Sequence, residues 1–256
     1  MLAAAALVLA SCGDDGDTDE ASAVTTGPPA DSAAGSEASI AAYCQGHLDA
    51  NAAATAAEFD LDPTVDVDGV FAEWVEASPA AIRSDVETAT SAFAAGDVES
   101  PEFGQAYDAV VTFTRENCGF GELAVTATEY SFAGIPETIE AGPAVVAFEN
   151  DGNEIHHIIM IQVNDGVTES PEELLEELFE LPEDEVPTKV SLLGETFALP
   201  GEDGAELFDL QPGRHFAVCV IPTGTTPDSP PPGEGTDPPG PPHFVHGMIQ
   251  EFTVEA

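Results

Sequence analysis

Cys219, His243, Met248 and the pair His156-His157 are the side chains in this chain whose types and spacing suit metal chemistry. The run Pro242-His243-Phe244-Val245-His246-Gly247-Met248 sets an imidazole and a thioether close together, downstream of a lone thiol. The second imidazole source lies on an earlier apolar run, Ile155 to Val163. Two imidazoles, one thiolate and a weak axial thioether form the donor set of a blue-copper site. Sulfur favours Cu(I), imidazole suits both oxidation states, and a trigonal His2Cys arrangement limits reorganisation when one electron moves. His156 is the first choice on the earlier run, with His157 its alternate, and His246 is the alternate to His243. His215 is expected at the opposite end of its strand from the metal. Each residue also has a plain structural reading: a satisfied strand histidine, a thiol packed as a small hydrophobe, a core methionine.

A β-rich segment must position these groups. From Glu122 onward the chain consists of short β-branched or apolar runs, Leu123–Thr128, Ala144–Phe148 and Ile155–Val163, punctuated at Gly142-Pro143 and Asp151-Gly152-Asn153. Gln211-Pro212-Gly213-Arg214 is a turn joining Glu206–Leu210 to His215–Ile221, and Met248–Val254 alternates as a last strand. Short strands with frequent turns predict a β-sandwich. One helix interrupts it: Ser170-Pro171-Glu172-Glu173 is a capping box ahead of Leu174, Leu175, Leu178 and Phe179.

Residues 38–120 read as a small four-helix bundle. Ser39–Phe59 carries Ile40, Tyr43, Cys44 and Leu48 on one face, and Val70, Phe71, Trp74 and Val75 suit a second helix. Ser78-Pro79 and Ser100-Pro101 each place a capping hydroxyl before a first-turn proline and predict the starts of the third and fourth. His47 is expected as a surface or cap histidine. Nothing in this region looks catalytic.

The cysteines divide into three roles. Leu9-Ala10-Ser11-Cys12 ends a short apolar run and reads as a lipobox, with Cys12 the lipidation site and residues 1–12 the signal. Residues 13–37, rich in Asp, Ser, Thr, Ala, Gly and Pro, cannot bury enough surface to offset their ordering entropy and are expected as a disordered acidic tether. Export permits disulfides, and Cys44 and Cys118, which bracket the helical region, are expected to pair. Cys219 is then left over, and metal ligation explains a free thiol in an exported protein. Formal charge is −45, with Arg83, Arg115, Lys189 and Arg214 facing 49 carboxylates. With no basic patch, nucleic acid and anionic lipid surfaces are poor partners for this chain. No nucleophile motif, phosphate loop or His-Glu-x-x-His appears, and no His-x-His pair of a multicopper oxidase, so an enzyme is not expected.

On these residues the segment 121–256 resembles the cupredoxins, the plastocyanin and azurin family. Pro242 to Met248 matches the family's Pro-His-x-x-x-Gly-Met position for position, and the strand ending at Cys219 after a Pro-Gly turn looks like the family's Cys strand. The lipobox, Cys-bridged helical region and β-domain together are similar to actinobacterial surface lipoproteins with a cupredoxin-like C-terminus. The resemblance implies a multidomain α + β chain, a helical bundle followed by a Greek-key β-sandwich. It further implies copper held by His156, Cys219, His243 and Met248, and electron transfer to a redox partner from a membrane-anchored position. A metal-free binding lipoprotein of the same fold is the other expectation. The departure from the family lies in the ligand loop, where 23 residues (220–242) separate Cys219 from His243. Closing so long a loop costs only roughly 2 kcal/mol more than closing one of about 3 residues. Geometry is the larger concern, because a proline-rich insertion from Thr223 to Pro241 is expected to splay the ligands.

Overall fold

The structure, a computed structural model, describes residues 32–182, 185–229 and 240–256. The lipobox with Cys12, and the expected tether up to residue 31, lie outside the described residues. Four helices come first: α1 (Ser32–Glu58), α2 (Val67–Ala77), α3 (Arg83–Ala95) and α4 (Pro101–Asn117). The first begins inside the stretch expected as tether, ahead of the boundary drawn at 38.

Local chemistry sets the helix ends. The Asp66 side chain accepts from the Gly69 N–H to open α2, and Ser100 Oγ accepts from the Phe103 N–H at 3.2 Å to open α4, with Pro101 in the first turn. The expected start at Ser78-Pro79 is corrected. Ser78 is fully buried and its hydroxyl turns back to donate to the Trp74 carbonyl at 2.8 Å, so it ends α2. The chain then turns through Pro79, and α3 begins at Arg83, whose guanidinium donates to the Ser78 carbonyl at 2.6 Å. Cys44 on α1 and Cys118 at the end of α4 form a disulfide across 74 residues of sequence, as expected. Closing a loop of that length stabilises by roughly 4 kcal/mol on the chain-entropy model.

His47 also requires correction: it is core. Its Nδ1 lies 2.8 Å from Thr114 Oγ1, and its ring stacks on Trp74 with centroids 4.6 Å apart. Burial lowers its pKa to about 3. Tyr43 completes the group, donating to the Val110 carbonyl at 3.2 Å with Thr114 Oγ1 2.9 Å away.

The expected two-sheet sandwich follows. Its strands are β1 (Gly121–Thr128), β2 (Ser131–Ala133), β3 (Thr138–Glu140), β4 (Gly142–Asn150), β5 (His156–Val163), β6 (Val190–Ala198), β7 (Asp203–Leu210), β8 (Gly213–Val218) and β9 (Ile249–Glu255). One sheet runs β2-β1-β4-β7 and the other β3-β9-β8-β5-β6. The pairs β1/β4 and β3/β9 are parallel and the remaining pairs antiparallel. Gly142 and Pro143 open β4 instead of standing between strands. The unexpected strands are β2, β3 and β6.

Between the sheets lies a core of Val125, Val146, Phe148, Ile158, Met160, Phe208, Ala217 and Phe252. The outer face of the second sheet packs Ile159, Ile161 and Phe216 against Leu174 and Leu175 of α5 (Pro171–Glu180), whose capping box forms as expected. The outer face of the first sheet meets the helical bundle through Val111, Val145 and Leu207. Asn51 Nδ2 donates to the Leu207 carbonyl at 2.5 Å and Tyr107 Oη to Glu206 at 2.6 Å across that junction. Both faces of both sheets are thus partly covered, which accounts for the almost unbroken burial of β5.

Candidate metal centre

Strand alternation decides between the two adjacent histidines. Successive side chains of a strand point to opposite faces. In β5 the residues Ile158 and Met160 face the inter-sheet core, so His156 does too, while His157 shares the outer face with Ile159 and Ile161. His157 Nε2 accepts from the Val220 N–H at 2.8 Å, supporting the backbone next to Cys219 from behind. Its ring is committed to that role, and burial lowers its pKa to about 3.

Cys219, just past β8, packs in the same inter-sheet core as Met248. A short 3-10 turn, His243–His246, carries the other imidazole. The three donor atoms of His156, Cys219 and His243 all lie within 4.8 Å of one another, and all three residues are buried. His243 Nδ1 is 3.3 Å from Cys219 Sγ and 3.1 Å from His156 Nδ1. Both rings therefore present Nδ1 toward one point.

The long insertion does not splay these groups. Backbone bonds stitch its two ends together: Cys219 N–H to the Met248 carbonyl at 3.1 Å, Phe244 N–H to the Cys219 carbonyl at 3.0 Å, His243 N–H to the Ile221 carbonyl at 2.9 Å, and Thr223 N–H to the Pro241 carbonyl at 3.0 Å. Pro222 and Pro242 form a bridge between them. Close approach at the neck requires glycine, because a Cβ at Gly240 would stand 2.7 Å from the Thr223 carbonyl oxygen. Residues 230–239 lie outside the described part of the loop.

His246, the alternate to His243, is exposed and tilts against Tyr130 with ring centroids 4.8 Å apart; it is not one of the three converging donors. His215 sits near the start of β8 with Nδ1 at 3.2 Å from the Gly213 carbonyl, at the end opposite Cys219, as expected.

Three further residues shape the site, and sequence reading did not name them. Glu154 Oε2 accepts from His243 Nε2–H at 3.0 Å. Glu129 Oε1 stands 3.7 Å from His156 Nε2, beyond hydrogen-bond reach. Asn150, fully buried, donates to the Glu154 and Ala198 carbonyls, each at 2.9 Å, and accepts from Gly152 N–H at 2.8 Å. That network fixes the turn lying over His156. Glycine suits position 152, where a Cβ would fall 2.8 Å from His156 Nε2 and 2.6 Å from Glu129 Oε1 and push these side chains aside.

Electrostatics favour neutral rings and a protonated thiol in the absence of a cation. Burial and then the neighbouring His243 lower the His156 pKa to about 4, burial lowers that of His243, and burial pushes the Cys219 thiol up to about 12. Burial raises the Glu154 carboxyl, but hydrogen bonds from Gly224, His243 and Tyr130 outweigh it and hold the group below its ordinary range. With a carboxylate accepting from Nε2–H, His243 keeps its Nδ1 lone pair free.

His156 Nε2 is a buried atom with no hydrogen-bond partner. Ligation through Nδ1 would place the ring proton on Nε2, facing Glu129. The donor set fits copper better than it fits a hard cation, which prefers oxygen.

No protein-family model matches the chain, and no curated protein matches it. Solved structures do. An auracyanin from Roseiflexus castenholzii, reduced with dithionite, is 17% identical with a TM-score of 0.35, the match covering 53% of this chain and 97% of that one. Auracyanin A from Chloroflexus aurantiacus, described as a blue copper protein, is 17% identical over 53% of this chain and 100% of its own, with a TM-score of 0.32. Rusticyanin from Thiobacillus ferrooxidans is 16% identical over 52% of this chain and 77% of its own, with a TM-score of 0.31. Likeness at this level carries no function across. What fold and site define is a two-sheet β-sandwich with a buried His2Cys group and a core methionine beside it.

Proposed function

We propose that this protein binds copper in a type 1-like site and passes single electrons, working outside the cytoplasm with Cys12 carrying a lipid anchor to the membrane. The observation that carries the copper reading is the convergence of His156 Nδ1, Cys219 Sγ and His243 Nδ1 within 4.8 Å in a buried pocket of the inter-sheet core. Bound there, copper would supply a one-electron couple. His156, Cys219 and His243 would hold it, with the Met248 thioether as a weaker donor.

The protein's own part is preorganisation. Cys219 gives up its thiol proton on metal uptake, and the Val220 amide, held by His157, keeps the loop behind the sulfur in place. His243 is held in one tautomer by Glu154, and the stitched loop keeps the donors from relaxing apart as charge changes. The Cys44–Cys118 disulfide supports an oxidising compartment. Among the described residues, no helix is long and apolar enough to cross a membrane. The acidic surface favours a cationic redox partner.

Titrating Cu(II) into the purified protein and recording the visible spectrum tests the reading. An intense thiolate-to-copper band, lost in Cys219→Ser, supports it. Absence of that band together with no tight uptake of Cu(I) overturns it in favour of a metal-free binding protein.

A further inference from the structure

Each imidazole of the donor group has a carboxylate behind it. His243 points Nε2 at Glu154, 3.0 Å away, and His156 points Nε2 toward Glu129, 3.7 Å away. Both carboxylates are partly withdrawn from solvent, their side chains 16% and 26% exposed. Glu154 is a junction of three segments. Besides His243 it receives the Gly224 N–H at 2.6 Å, from the segment after Cys219, and the Tyr130 hydroxyl at 3.1 Å, from the end of β1. Tyr130 also lies against the His243 ring, with centroids 4.9 Å apart, and shields that contact from water. Glu129 fixes the backbone beneath, accepting from the N–H groups of Asn153 and Glu154.

We infer that Glu154 is the positioning residue for His243 and that its negative charge, with that of Glu129, biases the site toward the higher oxidation state of its metal. The inference rests on the copper reading above. A carboxylate accepting the distal N–H of a ligand imidazole fixes its orientation and raises its donor strength. Charge held close by and partly out of water is weakly screened and favours a divalent ion over a monovalent one. Glu154 thereby does what a short ligand loop would otherwise do for His243, and it binds Gly224, at the mouth of the insertion, to the same point.

Glu154→Gln separates charge from shape. The amide oxygen can still accept from His243 and Gly224, and the NH2 group can donate to the Tyr130 oxygen. In redox titrations of the copper-loaded protein, Glu154→Gln is expected to keep the visible band but lower the ratio of Cu(II) to Cu(I) affinity about tenfold. The reduction potential then rises by about 59 mV, the equivalent of a tenfold change for one electron. Glu154→Ala loses positioning as well, so copper affinity falls about 10–100-fold. Tyr130→Phe removes a competing donor, leaves the carboxylate more basic and shifts the potential the opposite way; it also serves if Glu154→Gln does not fold. Glu87→Gln on α3 controls for overall charge. If wild-type protein shows no band, the copper reading fails. If wild type shows the band and neither Glu154→Gln nor Tyr130→Phe moves the potential more than Glu87→Gln does, the role of Glu154 alone is refuted.

Discussion

Buried histidines in the two halves of the molecule, His47 in one and His156 with His243 in the other, are put to opposite use. In the helical region His47 meets a hydroxyl, stacks on an indole and lies beside Tyr43, so its polar edge is answered by Thr114. In the sandwich His156 and His243 turn lone-pair nitrogens toward each other and toward a thiol, and one ring atom is left with no partner. The first group also keeps an unanswered atom, Trp74 Nε1, but its polar atoms converge on no common point and its worth lies in packing. The second is open toward a single point, an arrangement that a folding-only role does not call for. Burial and depressed pKa are common to both, so neither property separates a site from a core; convergence of donors does.

Substitutions can break this contrast. The largest effect is expected from Cys219→Ser, which should abolish the thiolate-to-copper absorption, whereas His47→Ala should leave that band intact in the same titration. Conversely, His47→Ala removes a buried ring from Trp74 and Thr114 and should cost about 3 kcal/mol in urea unfolding. Acidification should reveal the same residue. Its folded pKa of about 3 lies below the ordinary value of 6.5, so the two states differ in protonation only beneath pH 6.5, where the unfolded chain takes up the extra proton and stability falls. From pH 7 to pH 5 His47 should contribute a loss of about 2 kcal/mol, measured as the difference in pH dependence between wild type and His47→Gln. The smallest effect is that of Thr114→Val, which leaves His47 Nδ1 unanswered while Tyr43 keeps the Val110 carbonyl; about 1.5 kcal/mol is expected by the same denaturation.

What the sequence revealed followed from how distinctive each residue was against its background. Cysteines are rare here, so the pairing of Cys44 with Cys118 and the isolation of Cys219 could be read directly. Ser170 and Ser100 had unambiguous helix starts after them, but Ser78-Pro79 is equally a way to leave a helix, and only the buried Trp74 carbonyl decides the direction of its hydroxyl. Strands β2 and β3 are three residues long, too short for any alternation to show. In β6 a glycine at φ 130° and the adjacent Glu195 interrupt the apolar pattern. Glu129 and Glu154 were invisible for a different reason: among 49 acidic residues, two more carry no signal until their partners are known. His47 looked isolated because Thr114 and Trp74 lie far from it in sequence.

The bridge between Pro222 and Pro242 also changes how the ligand loop should be measured. Counted along the backbone, Cys219 and His243 are distant; counted through hydrogen bonds, they are near neighbours across a short hairpin neck. Gly224, held by Glu154, and Thr225, which accepts from the Ile155 N–H at 2.8 Å, extend that neck toward the donor group, so the number of residues between its two sides does not set the distance between the donors. In the laboratory the insertion therefore offers a graft site, where a reporter or affinity tag could sit close to the donor group without becoming part of it.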